Sequence, residues 1–373
     1  MRKLASIRVI NGLRPIANAD RIELASIDGW QCIVKKGEYK VGDLCVYFEI
    51  DSLLPTQDRY AFLTHCKRDY GIGIRYRIKT MKMRGVVSQG LALPLSIFPE
   101  LLSAAPGDDV TELLDIHKHG EYGATAVNTE SKTNGRFPSF IPKTEQERIQ
   151  NLPHYYEEYK DSEWEETLKL DGSSMTVFKV TKPTPWYARI VGLLGFTVST
   201  ERLGVCSRNL EIKPKDNYTT TFDNGGVQSE YSQGSFWCSV TKHEIAKYLP
   251  VGFALQGELV GPRIQGNHEK VQENHFLVFD VFDIQKGHYL LPEERHVFMD
   301  TYIRASGIIP APVVSSHVKV FTECPTLELL QERVRGESIN PDTISEGRVY
   351  KHTTIRGLSF KCISNEYLLK DVE

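Results

Sequence analysis

Apolar and polar residues alternate in short runs through the first hundred positions. Residues 2–10 (RKLASIRVI) and 22–27 (IELASI) alternate with a period of two, as strands with one buried face do. Residues 30–34 follow an Asp28-Gly29 turn, and the apolar run 44–50 follows Val41-Gly42-Asp43. Short strands at this spacing, with a hairpin pattern and a return strand, predict an OB-like β-barrel over residues 1–115. Over residues 116–136 the composition turns polar and turn-rich, which predicts a linker. Residues 137–373 then predict a larger α+β domain with antiparallel sheets. Its opening stretch, 142–151, reads as a helix, with Thr144 as N-cap and Glu147 completing a capping box. Residues 163–168 and 175–180 read as strands, and Asp171-Gly172-Ser173-Ser174 as the turn of a hairpin between them. After Trp186-Tyr187 and the 196–200 run comes a loop-like stretch at 217–235. A helix follows over 234–248, with buried strands at 253–261 and 276–284. Helices are expected near 292–305 and 326–335, the second stopped by Gly336, and last strands at 349–351 and 358–363.

Composition narrows the function more than the fold. The chain has 373 residues and a net charge of −3, so any nucleic-acid binding must use local patches. The densest basic stretch runs from Arg75 to Arg84, and alternation puts Arg75, Arg77 and Lys79 on one strand face. A cationic face on a small barrel suits a phosphate backbone, although charge also protects ordinary edge strands. A barrel on a flexible tether that bound nucleic acid would raise the effective concentration of that nucleic acid at a second domain. Seven cysteines are scattered without a CxxC pair, which argues against a disulfide framework or a zinc ribbon. With no apolar leader and no apolar run long enough to span a bilayer, an intracellular, cytoplasmic protein without membrane contact is expected.

The chemistry gathers around Lys169-Leu170-Asp171-Gly172. On an extended segment residues two apart point the same way, so Lys169 and Asp171 face one site, and Gly172 permits a close backbone approach to a ligand. A lysine amine is a nucleophile when neutral, and burial or neighbouring cations favour that form. A nearby carboxylate can hold a divalent metal against a triphosphate. An exposed lysine beside a hairpin turn would account for the same residues, so the rest of the chain decides.

Further along come Gly257-Glu258-Leu259, then Phe276-Leu277-Val278-Phe279-Asp280, Glu346-Gly347-Arg348-Val349 and Phe360-Lys361. In that order after Lys169-x-Asp171-Gly172, the series resembles the lysine nucleotidyltransferases: DNA ligases, RNA ligases and mRNA capping enzymes. The N-terminal segments Met1–Ile7, Ala19–Glu23 and Val41–Pro55 look like those of the ATP-dependent RNA ligases with an N-terminal OB module, the fifth RNA ligase family. The likeness covers nearly the whole chain. It implies that Lys169 attacks the α-phosphate of ATP and holds AMP as a phosphoramidate. It implies that Glu258 binds the ribose, Phe279 stacks on adenine, and Glu346 serves a catalytic Mg2+ or Mn2+ with Asp171. Lys361 would contact phosphate and lower the pKa of the nucleophile. Arg148, Lys351 and Gly172 complete the expected ATP site, and Arg208 in Ser-Arg-Asn would help the RNA 3′ end.

Three departures refine the likeness. Ile363 stands where the last motif often carries a second lysine, and Lys370 lies further on. Ser174 replaces an arginine usual in DNA ligases and capping enzymes, which favours the RNA ligase branch. The chain stops soon after Lys361, leaving no room for the C-terminal OB domain of those relatives. The expected activity is ATP-dependent joining of an RNA 3′-hydroxyl to a 5′-phosphate, at nicks in duplexes and as a monomer, in RNA repair. The alternatives are a DNA ligase or capping guanylyltransferase, and a non-catalytic OB-type nucleic-acid adaptor.

Overall fold

A computed structural model describes residues 3–119, 133–181, 201–214, 219–221, 227–229 and 235–370. The expectations at Trp186-Tyr187, at 196–200 and at the Asn224-Gly225-Gly226 turn lie outside the described residues. Within 217–235, Thr219–Thr221 and Val227–Ser229 pair as an antiparallel hairpin.

The N-terminal part is the expected OB-type barrel, closed around strand Leu44–Phe48. That strand is apolar throughout because both its faces are covered. Val46 and Phe48 pack into one core with Ile7, Tyr60 and Phe98, while Cys45 and Tyr47 pack into a second with Trp30, Ile27 and Val34. It pairs with Ala5–Val9 on one side and Leu91–Pro94 on the other. A meander of Gly12–Pro15, Ile22–Ile27 and Trp30–Lys35 covers the second core. Both described ends of the expected linker are strands. His117–Lys118 adds to Ser52–Pro55 in the barrel, and Thr133–Arg136 adds to Leu210–Ile212 in the larger domain. Polar side chains suit such edge positions, which is why composition alone read these strands as linker.

Besides the short pair Thr219–Thr221 and Val227–Ser229, the larger part holds two main sheets, one of eight strands and one of five. They correct the reading of the Lys169 region as a hairpin. Trp164–Lys169 lies in the five-stranded sheet between Gly347–His352 and Val313–Val318, whereas Ser173–Thr181 lies in the eight-stranded sheet between Glu201–Cys206 and Phe253–Val260. Leu170-Asp171-Gly172 is therefore a crossover between sheets. A strand–turn–strand pattern reports two strands but not whether they pair with each other.

Each sheet packs one face into a large apolar core, and the eight-stranded sheet carries a smaller cluster of Phe178, Ala254 and Phe282 on its other face. Trp164, Tyr350, Phe360 and Cys362 alternate into a core with Phe321 and Leu330. Met175, Val177, Leu255, Leu259 and Phe276 alternate into another beneath the helices of 235–248 and 292–303. The 235–248 stretch is two pieces, Ser235–Lys242 and Ile245–Tyr248, broken at Glu244 with φ +45°. The helix Leu327–Arg333 ends before Gly336, as expected. Among the described residues no helix is long and apolar enough to cross a membrane.

The helix expected at 142–151 does not form. Glu147–Arg148 is a short strand running parallel to Ser359–Ile363, and a single 3-10 turn, Ile149–Asn151, follows. Glu147 turns its carboxylate on the Arg148 amide and on Asn151 Nδ2 instead of capping a helix. Tertiary pairing outweighs local capping here, and it brings Arg148 beside Lys361.

Candidate active site

The site forms where the faces opposite the two large cores turn polar. On the five-stranded sheet, residues two apart line one face: Lys169, Thr167 and Glu165 on the first strand, and Gly347, Val349 and Lys351 on its neighbour. The pairing continues from Thr167 through Val349 and Lys361 to Arg148, one row across four strands. On the other sheet Ser174 lies beside Glu258 and Thr176 beside Gln256. The crossover sets Lys169 and Asp171 where the sheets meet.

Lys169 Nζ donates to Glu346 Oε2 at 2.6 Å, with both side chains mostly buried. Glu346 ends the loop before Gly347–His352, and Gly347 is required there. Its φ is +149° and a Cβ would lie 2.2 Å from the Cys362 carbonyl oxygen. Asp171 Oδ2 accepts the Tyr367 hydroxyl at 2.7 Å, and its amide donates to Glu269 Oε1 at 3.3 Å. Glu258 is half-buried by surface, yet burial pushes its pKa up to about 8. Lys169 opposes that rise, Glu346 and Asp171 add to it, and Arg208 opposes it again. One carboxyl thus senses four of the residues expected at the site, which places them around a single cleft. Gly172 is needed because a Cβ would meet the Leu259 carbonyl oxygen at 2.4 Å and Glu258 Cγ at 3.0 Å. The close approach seen here is to the neighbouring strand.

Phe279 sits at a bulge. The register shifts between Gln256 and Gly257, which face Asp280 and Val278, so Phe279 is the extra residue. Its carbonyl, freed from the ladder, accepts Lys351 Nζ and Arg295 Nη1. Lys351 is buried, ion-paired to Asp280 at 2.7 Å, and its ammonium stands 5.3 Å from the Phe279 ring centroid. Burial lowers its pKa against the pull of Asp280. It braces Phe279 from behind. Arg295 also forks on to the fully buried Glu165, which His296 bonds as well.

Arg208 stands in the turn joining Glu201–Cys206 to Leu210–Ile212 and pairs with Glu145 at 3.0 Å. Glu145 also accepts Lys118 of the barrel at 2.7 Å, and Lys361 is near enough to help hold its carboxyl below the usual range. Arg148 is buried, with its guanidinium 5.7 Å from the Trp30 ring centroid of the barrel. Asn151, three residues on, is a hub. Its Oδ1 accepts Trp30 Nε1 at 2.7 Å and Arg8 Nη2 at 3.3 Å, and its Nδ2 donates to Glu49 at 2.8 Å and Glu147 at 2.9 Å. The barrel is thus docked on the segment that carries Arg148. Arg75, Arg77 and Lys79 stay within the barrel. Arg75 bonds the Asp115 carbonyl and carboxylate, Arg77 pairs with Asp51 at 2.8 Å, and Lys79 is half-buried beyond the strand.

Asn151, Glu145, Glu269 and Tyr367 escaped the sequence reading. None lies in a motif, and only long-range pairing brings them to the cleft.

Among the described residues no group of three or more His, Cys, Asp or Glu is arranged to hold a metal. Glu346 and Asp171 nevertheless fit a hard divalent cation completed by phosphate oxygens and water. Both carboxylates lie close enough to Glu258 to act on its charge, so they face the same cleft.

An OB module joined to a two-sheet domain with a lysine at the crossover defines a ligase-type nucleotidyltransferase. The OB-fold domain family matches residues 4–95 and the RNA ligase family residues 162–364. The structure of Naegleria gruberi RNA ligase with PPi is 37% identical, with a TM-score of 0.80 over 99% of this chain and 98% of that one. Mutants of the same enzyme with ATP and Mn, and with AMP and Mn, are each 36% identical, with TM-scores of 0.81 over 98% of both chains. Comparison with curated protein sequences found no significant match. The chain belongs to the RNA ligase family.

Proposed function

We propose that the protein is an ATP-dependent RNA ligase that joins an RNA 3′-hydroxyl to a 5′-phosphate at nicks in duplexes, as in RNA repair. The Lys169 amine attacks the α-phosphorus of ATP. A nitrogen–phosphorus bond forms, the bond to pyrophosphate breaks, and the amine gives up its proton. A 5′-phosphate oxygen of the nucleic acid then takes the AMP, which returns the lysine. The 3′-hydroxyl finally attacks that 5′-phosphate and AMP leaves.

The residues supply position and charge, which is most of what nucleotidyl transfer needs. Glu346 holds the Lys169 amine at the crossover. Glu258 faces the ribose, and a carboxyl with a pKa near 8 both donates and accepts hydrogen bonds at neutral pH. Phe279 stacks on adenine, fixed by Lys351 and Arg295 through its carbonyl. Arg148 and Lys361, side by side, meet the phosphates, and Arg208 meets the RNA 3′ end. Mg2+ or Mn2+, held by Glu346 and Asp171, supplies charge neutralisation at the triphosphate. Residues 1–115 act as the OB module, 116–136 as the connection and 137–373 as the catalytic domain. Every group named lies on one chain, so the reading is of a monomer that needs no second subunit, and its proposed location is the cytoplasm.

The observation that carries this reading is the Lys169–Glu346 contact beside Glu258, in a member of the RNA ligase family. Relatives solved with ATP and Mn, AMP and Mn, and PPi support the ligand classes. Label from α-labelled ATP, and not from GTP, should remain on the denatured protein. Nicks with an RNA 3′ end should then seal faster than nicks with a DNA 3′ end. Labelling by GTP would replace the reading with a guanylyltransferase.

A further inference from the structure

We propose that Tyr367 is a positioning residue for Asp171, delivered by the helix Asn365–Lys370. The inference rests on the reading of Asp171 as a metal-binding carboxylate. The Tyr367 hydroxyl donates to Asp171 Oδ2 at 2.7 Å. Carboxylates that take a cation bind it more tightly when a hydrogen bond already fixes them, because less rotamer freedom is lost.

The surroundings are built to hold that bond. The Tyr367 ring meets His268 edge-on at 5.3 Å, and His268 Nε2 bonds the Ile344 carbonyl, two residues before Glu346. Glu269, fully buried, accepts the Asp171 amide. His268 and Glu269 sit in a loop where Arg263, Gln265, Asn267 and Lys270 all have positive φ. Non-glycine residues in that region cost energy and persist where the surroundings over-determine them. The helix is anchored separately, by Gln89 of the barrel on Asn365 at 2.9 Å and by Arg335 on Glu366 at 2.7 Å. Lys370, the lysine beyond the last motif, places its ammonium 6.0 Å from the Tyr367 ring centroid. It therefore borders the site beside Tyr367.

The test is calorimetric titration of Mn2+ alone into the full-length chain. Tyr367→Phe keeps the ring against His268 and removes only the hydroxyl. It should weaken Mn2+ binding about tenfold, within the range for partners of metal-binding carboxylates. Formation of the AMP adduct at limiting Mn2+ should slow in proportion and recover at saturating Mn2+, with the thermal midpoint unchanged. Asp171→Asn sets the scale and should weaken Mn2+ binding at least as much. If Tyr367→Phe binds Mn2+ like wild type while Asp171→Asn does not, the inference is wrong and the site reading stands. If Asp171→Asn also binds like wild type, the metal reading of Asp171 fails and the inference falls with it. A lowered thermal midpoint with unaltered Mn2+ affinity would make Tyr367 merely structural.

Discussion

Glu258 is the residue whose physics is most exposed to test. Its pKa of about 8 stands above the ordinary 4.5 of a glutamate. In the folded chain it therefore keeps a proton that the unfolded chain releases between about pH 4.5 and 8. The native state binds more protons over that window, so its stability falls as pH rises through it. Glu258→Gln removes this slope. Urea midpoints of wild type and variant should diverge in the variant's favour from pH 5 to pH 8, and parallel curves would contradict the burial argument. The same group should show in catalysis. Glu258→Ala should act largely through apparent ATP affinity, whereas Glu346→Ala should slow adduct formation at any ATP concentration. Wild-type rates for both at low ATP would contradict a shared site.

At the scale of elements, the crossover from one sheet to the other does the placing. Gly172→Ala would push a methyl into the Leu259 carbonyl, which belongs to a central strand and cannot yield cheaply. Displacing the crossover by about 1 Å should cost about a hundredfold in adduct formation, while the chain still folds. Adduct formation within a few-fold of wild type would show that the crossover tolerates movement. This element also marks what was legible beforehand. Lys169, Asp171, Glu258 and Glu346, which lie around one cleft, could be singled out because each sits in a short segment whose order along the chain is distinctive. The pairing of the strands around Lys169 could not, since alternation fixes which face a residue takes but not which strand lies beside it. Thr144 and Glu147 misled for a related reason. Their local pattern is a good helix start, but the parallel pairing with Ser359–Ile363, two hundred residues away, prevails. Tyr367 and Asn151 had no local signal at all.

At the scale of the whole molecule, the barrel is docked against the larger domain. Four hydrogen bonds on Asn151, three of them from the barrel, hold the segment that carries Arg148. On the proposed roles of Arg148 and the barrel, removing the barrel should weaken the nucleotide step as well as nucleic-acid binding. Asn151→Leu in the full chain should slow formation of the AMP adduct about tenfold or more, while sealing of a nick already capped with AMP should be affected less. Equal loss in both reactions would mean that the hub only stabilises the fold. Arg75→Ala, Arg77→Ala and Lys79→Ala together should weaken nick binding and flatten its salt dependence without altering adduct formation. Since Arg75 and Arg77 already pair with Asp115 and Asp51, the change in slope should be smaller than three free cations would give.

The central claim is that Lys169 is the nucleophile, and the most direct measurement is its covalent labelling. Wild type incubated with α-labelled ATP and Mn2+ should carry an acid-labile label through a denaturing gel. Lys169→Met, folded by its thermal midpoint, should carry none. A folded Lys169→Met protein that still holds the label would contradict the account.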